Sequence, residues 1–181
     1  MILGGVNPDG ALSKMTTIKK AILETKSNVW MMQETKAEPG SIKIEGFVTY
    51  EHTRITKDGG GISLSVLKTL NPCFIRDGGE NVEAMTVRIH LKKIVISINT
   101  GYGSQEYATI DKTEFFWKYL GEEYERAKSE GHGFVLQGDL NARLGPHVIK
   151  SDTKPANENG KMFANFVESN QLTIVNTLDI C

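Results

Sequence analysis

Apolar residues recur along the chain in two rhythms, and the switches between them mark the elements. Residues 1–7 form a short apolar run ending in Asn7-Pro8-Asp9-Gly10, four turn formers, which predicts a strand and a loop. Beyond it, Ile18, Ala21 and Ile22 fall at the i, i+3, i+4 spacing of one buried helix face, with Ser13 in position to cap the helix. Residues 28–34 are apolar until the last two, as in a buried strand whose C-terminal end reaches a polar site.

The middle of the chain reads as strands. Residues 47–50 and 62–67 flank a turn at Lys57-Asp58-Gly59-Gly60-Gly61. Met85, Val87, Ile89 and Leu91 alternate with Thr86, Arg88 and His90, which predicts a half-buried strand, and Lys92-Lys93 turns it into a second strand with Ile94, Ile96 and Ile98 on one face. Asp111 and Glu114 make a capping-box pattern ahead of a helix that carries Phe116, Leu120, Tyr124 and Ala127 on one stripe and stops at Gly131 and Gly133. Phe134-Val135-Leu136 then reads as a buried strand that empties into Gly138-Asp139-Leu140-Asn141. Met162, Phe163, Phe166 and Val167 mark a third helix, and residues 172–175 a last strand. Helices interspersed with hairpins predict a layered α/β sandwich rather than a purely parallel sheet.

Composition narrows the picture. The 181 residues, 39% of them hydrophobic, suffice for one substantial core and are too few for two, so a single domain over 1–181 is expected. A formal net charge of −1 and a pI of about 6.4 provide no overall cationic field of the kind a strongly basic nucleic-acid binder carries. Lys14, Lys19 and Lys20, and Lys92 with Lys93, read first as a solvated helix face and a charged hairpin turn. Cys73 and Cys181 are far apart and no CxxC occurs, as in a reducing compartment. No apolar run approaches the ~20 residues of a membrane span, and the first residues lack a signal-peptide pattern. An intracellular protein without a membrane partner is expected.

Polar positions at strand ends carry the candidate chemistry: Asn7, Glu34, Tyr102, and Asp139 with Asn141. Strand ends in α/β folds converge on one rim, where Glu34 and Asp139 would offer the hard oxygen ligands that suit Mg²⁺. Two carboxylates would repel a phosphate unless a cation offset them, so the charge balance calls for a metal. Taken singly, each has an ordinary reading as well. Glu34 is also the first solvent-exposed residue after a buried strand, Asp139 a turn aspartate, Asn141 a helix cap, Asn7 a turn residue and Tyr102 a loop aromatic.

The order of the motifs joins them. Asn7 ends the first strand, Gln33-Glu34 the second, Gly101-Tyr102-Gly103 follows a hairpin, and the Gly-Asp-Leu-Asn turn follows the long helix. This order resembles the endonuclease/exonuclease/phosphatase superfamily, which includes apurinic/apyrimidinic endonucleases and DNase I. The wording VNPDGALSK, MMQETK, INTGYGSQEY, QGDLNARLG and NENGKMFANFVE is most similar to the endonuclease domain of LINE-type, non-LTR retrotransposons. The resemblance implies a DNase I-like sandwich of mixed, largely antiparallel sheets flanked by helices. It implies Glu34 and Asn7 as residues of a Mg²⁺ site that Mn²⁺ can also fill, Asp139 as the group that orients and activates the attacking water, Asn141 as its partner on the phosphate, and Tyr102 as a donor to a phosphate oxygen. It further implies DNA as substrate, nicking as the reaction, a reverse transcriptase domain elsewhere and a nuclear site of action.

One departure stands out. The superfamily's C-terminal Ser-Asp-His segment has no match: His52, His90, His132 and His147 lie in other contexts, and Ser151-Asp152-Thr153 lacks its histidine. The sequence stops at Cys181 just after the run 172–175, so the last strands of the sandwich are expected to be missing, the domain incomplete at its C-terminus, and a sheet edge left open to self-association. Two alternatives stay open: a phosphatase or lipid phosphodiesterase of the same fold, and an inactive interaction module derived from a mobile element.

Overall fold

The computed structural model describes residues 1–53, 60–104, 110–146 and 153–175. Two four-stranded sheets stack face to face. In the first, β1 (Leu3–Val6) runs parallel to β2 (Val29–Gln33), which pairs antiparallel with β4 (Ile62–Leu67), and β4 pairs antiparallel with β3 (Phe47–His52). The second has the order β5 (Cys73–Asp77), β6 (Ala84–Leu91), β7 (Ile94–Tyr102), β8 (Gly133–Asp139), antiparallel except for the parallel β7–β8 pair. Helix α1 (Met15–Thr25) covers the outer face of the first sheet, and α2 (Ile110–Ser129) with α3 (Glu158–Ser169) covers that of the second. Helices outside two mixed sheets make the layered α/β sandwich that the sequence predicts.

Strand alternation builds the layers. Val29 and Met31 point from β2 into the space between the sheets, where they meet Ile62, Leu64, Met85, Val87, Ile89 and Ile98, while Trp30 and Met32 point the other way, onto Ile18 and Ile22 of α1. Every residue of β2 is therefore buried. Each such side chain contributes roughly 1.5–3 kcal/mol, whereas an exposed pair such as Lys20–Glu24 contributes ~0–1 kcal/mol, so the sheets are held by their apolar faces.

Several details differ from the sequence reading. Ser13 lies in a short 3-10 turn, and Lys14 occupies the cap position of α1 with no side-chain cap bond. Asp111 sits inside the first turn of α2, where its charge favours the helix N-terminus. Strand β6 is covered on both faces, because α2 packs on its outer side. Thr86 is 1% exposed, donating to Asn99 Oδ1 at 2.7 Å and sharing a 2.9 Å hydrogen bond with the Tyr119 hydroxyl. Phe134, Val135 and Leu136 are only half-buried, since β8 is an edge strand among the described residues. Residues 172–175 form no strand there, and the chain leaves α3 with Leu172 N bonded to Val167 O. Of the glycine-rich turn, Lys57, Asp58 and Gly59 lie outside the described residues, as do His147, Ser151 and Asp152.

Strand β5 was not foreseen. Its five residues mix apolar with charged ones, and distant partners stabilise it: Arg76 reaches Glu122 at 2.7 Å and the buried Glu123 at 2.5 Å on α2, and lies over the Tyr119 ring. Desolvation works against the Arg76 charge, and the bonds it donates to Glu122 and Glu123 outweigh it, so the guanidinium is held above its ordinary pKa.

Candidate active site

Strands β1, β2, β7 and β8 deliver their C-terminal ends to one rim. At the end of β2 the backbone turns sharply, with Glu34 and Lys36 both left-handed at φ 50° and 47°. Such conformations cost non-glycine residues of order 1–3 kcal/mol each and persist only where neighbours enforce them. Two loops enforce this one. Gly10 N and Ala11 N donate to Glu34 O and Thr35 O at 2.9 and 2.8 Å, and Thr35 N and Lys36 N donate to Gly61 O and Gly60 O at 3.0 Å each. The segment carrying Glu34 is thus clasped from both sides.

Tyr102 ends β7 in register with Asp139 at the end of β8. Its ring belongs to the core between the sheets, and its hydroxyl donates to Glu34 Oε1 at 2.5 Å, bridging the two sheets at their common rim. The proton that the sequence reading assigned to a phosphate oxygen is here engaged in orienting a carboxylate. Among the described residues, Glu34 Oε2 has no hydrogen-bond partner.

Asp139 is gripped at both oxygens. Asn7 Nδ2 donates to its Oδ2 at 3.3 Å and the backbone N–H of Asn141 to its Oδ1 at 3.2 Å. Asn141 is also left-handed, at φ 48°, and one N–H of its side-chain amide donates to Gly103 O at 2.7 Å. Gly103 N in turn donates to Asp139 O, and a Cβ on Gly103 would overlap the Leu140 carbonyl. Only glycine lets the two loops approach so closely. All five residues singled out from the sequence therefore lie on one hydrogen-bonded rim, Asn7 exposed, Tyr102 buried and the other three half-buried.

Among the described residues no group of three or more His, Cys, Asp or Glu is gathered as a metal cage. The donor set suits a hard cation that keeps most of its water: Mg²⁺ characteristically takes one or two carboxylates, and on this rim Glu34 Oε2 has no hydrogen-bond partner among the described residues, while the amide oxygen of Asn7 accepts from Asp9 N. Of the described histidines, His52 faces Asp77 and His132 faces Glu130.

Two contributors escaped the sequence reading. Lys36 bonds to Asp9 Oδ1 at 2.5 Å, and this hydrogen bond with its charge attraction holds the Asp9 carboxyl below its ordinary pKa and raises Lys36, which the Glu34 charge also favours. The wording of NPDG and QETK contained both residues, but Asp9 read only as a turn former. Glu83 is 9% exposed; its Oε2 accepts from Gly61 N at 3.0 Å and its backbone O from Tyr102 N at 2.8 Å, tying the clasp around Glu34 to the strand carrying Tyr102. No motif pointed to it.

An apolar groove follows the open side of β8 and meets the rim at Asp139 and Asn141, with Leu3, Val135, Phe163 and Leu172 among its walls.

No family model and no curated protein sequence matches the chain. Solved structures do. The AP endonuclease LMAP from Leishmania major superposes with a TM-score of 0.72 at 14% identity, over 93% of this chain and 65% of that one. The endonuclease domain of TRAS1, a telomere-specific non-LTR retrotransposon, gives 0.65 at 15% identity, over 97% and 75%. The chain has the endonuclease/exonuclease/phosphatase fold. A third structure with this fold, the 3′ phosphatase NExo from Neisseria bound to a product DNA hairpin, gives 0.63 at 12% identity over 92% and 70%. The chain thus spans between about two thirds and three quarters of these endonuclease/exonuclease/phosphatase structures. At such identities the likeness establishes the fold and leaves the chemistry to the side chains on the rim.

Proposed function

We propose that this chain is the catalytic part of a divalent-metal-dependent endonuclease that hydrolyses DNA phosphodiester bonds by in-line attack of water. The observation that carries the reading is the linked rim: Glu34 oriented by Tyr102, and Asp139 gripped by Asn7 and Asn141, on a fold whose solved examples include DNA-acting enzymes. Glu34 and Asn7 would hold the metal, Mg²⁺ or Mn²⁺, which when bound supplies positive charge against the charge developing on phosphorus and the leaving oxygen. Asp139 accepts the hydrogen bond of the attacking water and draws off its proton. The second N–H of the Asn141 amide, beyond the one given to Gly103 O, donates to a phosphate oxygen. Tyr102 keeps Glu34 aimed. As a nicking enzyme of the retrotransposon type, the protein would act in the nucleus alongside a reverse transcriptase.

Glu34→Gln tests this. The glutamine oxygen still accepts from Tyr102, so the fold is kept while the charge is lost. Mg²⁺ binding by calorimetry and nicking of supercoiled plasmid are expected to vanish together with melting unchanged. Equal metal affinity in the two proteins would rule the assignment out.

The net charge of −1 favours a second reading, a phosphatase or lipid phosphodiesterase of the same fold with a smaller substrate. A DNA-backbone binder loses affinity steeply as salt rises, which a small-substrate enzyme does not. We also propose that β1 and β8, edge strands among the described residues, let the chain self-associate.

A further inference from the structure

The sequence Asn157-Glu158-Asn159-Gly160 opens α3, far from any strand end, and has no part in the chemistry above. Its contacts nevertheless run to both site loops. Asn157 caps the helix, its Oδ1 accepting from Gly160 N at 2.8 Å. The same oxygen accepts from Arg143 N at 3.0 Å, its Nδ2 donates to Asn141 O at 2.8 Å, and its backbone N donates to Arg143 O at 3.1 Å. A cap needs only the first of these bonds. The other three fasten the segment that carries Asn141, a residue held in a left-handed conformation it would not choose alone.

Asn159 does for the other loop what Asn157 does for this one. It is 4% exposed, accepts from Trp117 Nε1 at 3.0 Å on α2, and donates from Nδ2 to Ser104 O at 2.6 Å, two residues beyond Tyr102. Gly160 completes the arrangement, because a Cβ there would overlap Arg143 O. The first turn of α3 therefore grips the Asn141 loop and the Tyr102 loop at once.

We propose that Asn157 is a positioning residue for the candidate active site, holding Asn141 in its working conformation through the bond from Nδ2 to the Asn141 carbonyl; the catalytic part of this inference rests on the nuclease reading. The side chain must accept twice and donate once from one short amide, and among residues of this length only asparagine does both.

Asn157→Asp separates the cap from the strap. Aspartate caps helices as well as asparagine does, and its charge suits the helix N-terminus, so the bonds from Gly160 N and Arg143 N survive. The donor to Asn141 O is lost and a carboxylate oxygen faces that carbonyl instead. The expected result is an unchanged melting temperature, hydrogen exchange at the Asn141 amide at least about tenfold faster, and a kcat for DNA cleavage lowered about tenfold or more with KM little changed, because Asn141 acts chiefly on the transition state. Asn157→Ala, which removes cap and strap together, should lower the melting temperature as well. Unchanged exchange at Asn141 in Asn157→Asp overturns the proposal, and so does a wild-type kcat when exchange has quickened. A wild-type chain that cleaves no DNA would sink the nuclease reading, and exchange alone would then decide whether Asn157 holds the loop.

Discussion

Tyr102→Phe removes one oxygen and leaves the ring where it is, 7% exposed in the core between the sheets. What disappears is the 2.5 Å hydrogen bond to Glu34, and bonds to a charged group contribute ~1.5–3 kcal/mol. Glu34 is only half-buried, so water replaces part of that bond in the folded state. The folding cost should therefore stay near ~1 kcal/mol, a fall of about 2–4 °C in melting temperature for a domain of this size. Turnover has no such relief, because water restores the hydration of the carboxylate but not its aim. Losing ~1.5–3 kcal/mol of orientation in the transition state corresponds to a rate roughly ten- to a hundredfold lower. The assay is single-turnover nicking of supercoiled plasmid, at limiting and at saturating Mg²⁺, with melting curves on the same preparations. A defect that shrinks as Mg²⁺ rises would locate the loss in metal binding, and one that persists would locate it in the chemical step. Wild-type rates at both concentrations would refute the idea that Glu34 needs the phenol. A drop in melting temperature of about 10 °C or more would instead make Tyr102 a folding residue.

Asp139→Ala should lower turnover roughly a hundredfold or more with little change in DNA affinity, and Asn141→Ala should add some loss of affinity; steady-state kinetics and binding isotherms distinguish the two. Asp9 should titrate below an ordinary carboxyl in the folded protein and move up in Lys36→Met, as read by carbon NMR of the side-chain carboxyl. The sign follows from the direction of each shift: the pair's contribution to stability is lost as pH falls through the depressed Asp9 pKa, and lost at the alkaline end as pH rises through the raised Lys36 pKa. If the open edges drive self-association, Val6→Lys on β1, where Val6 is 38% exposed, should shift sedimentation toward monomer, since a lysine on an edge strand discourages pairing. Identical sedimentation of the two proteins would remove β1 from the account.

Local pattern was enough for the elements whose burial is one-sided or complete. The apolar run before Glu34, the stripe through Phe116 and Leu120, and the alternation from Met85 to Leu91 each encode their own geometry, because 3.6 and 2 are periods a short segment displays by itself. The rim candidates were legible for a related reason: a polar residue that ends an apolar strand marks where the sheet meets solvent. Strand β5 was not legible, since Arg76 and Asp77 gain their places only from β6 and from glutamates on α2. Thr86 gave no sign that α2 would cover it. Nor could any local pattern join Asn7 to Asp139, 132 residues apart, or Tyr102 to Glu34, 68 residues apart. Those contacts exist because two sheets stack with β1, β2, β7 and β8 ending on the same side, and stacking is decided by the summed burial of both faces rather than by any one segment. The strained turns at Glu34 and Asn141 belong to the same class. Chain-local energetics disfavours them, and hydrogen bonds donated by Gly10 and Asn157 and accepted by the carbonyls of Gly61 and Gly103, brought together by the tertiary fold, keep them in place.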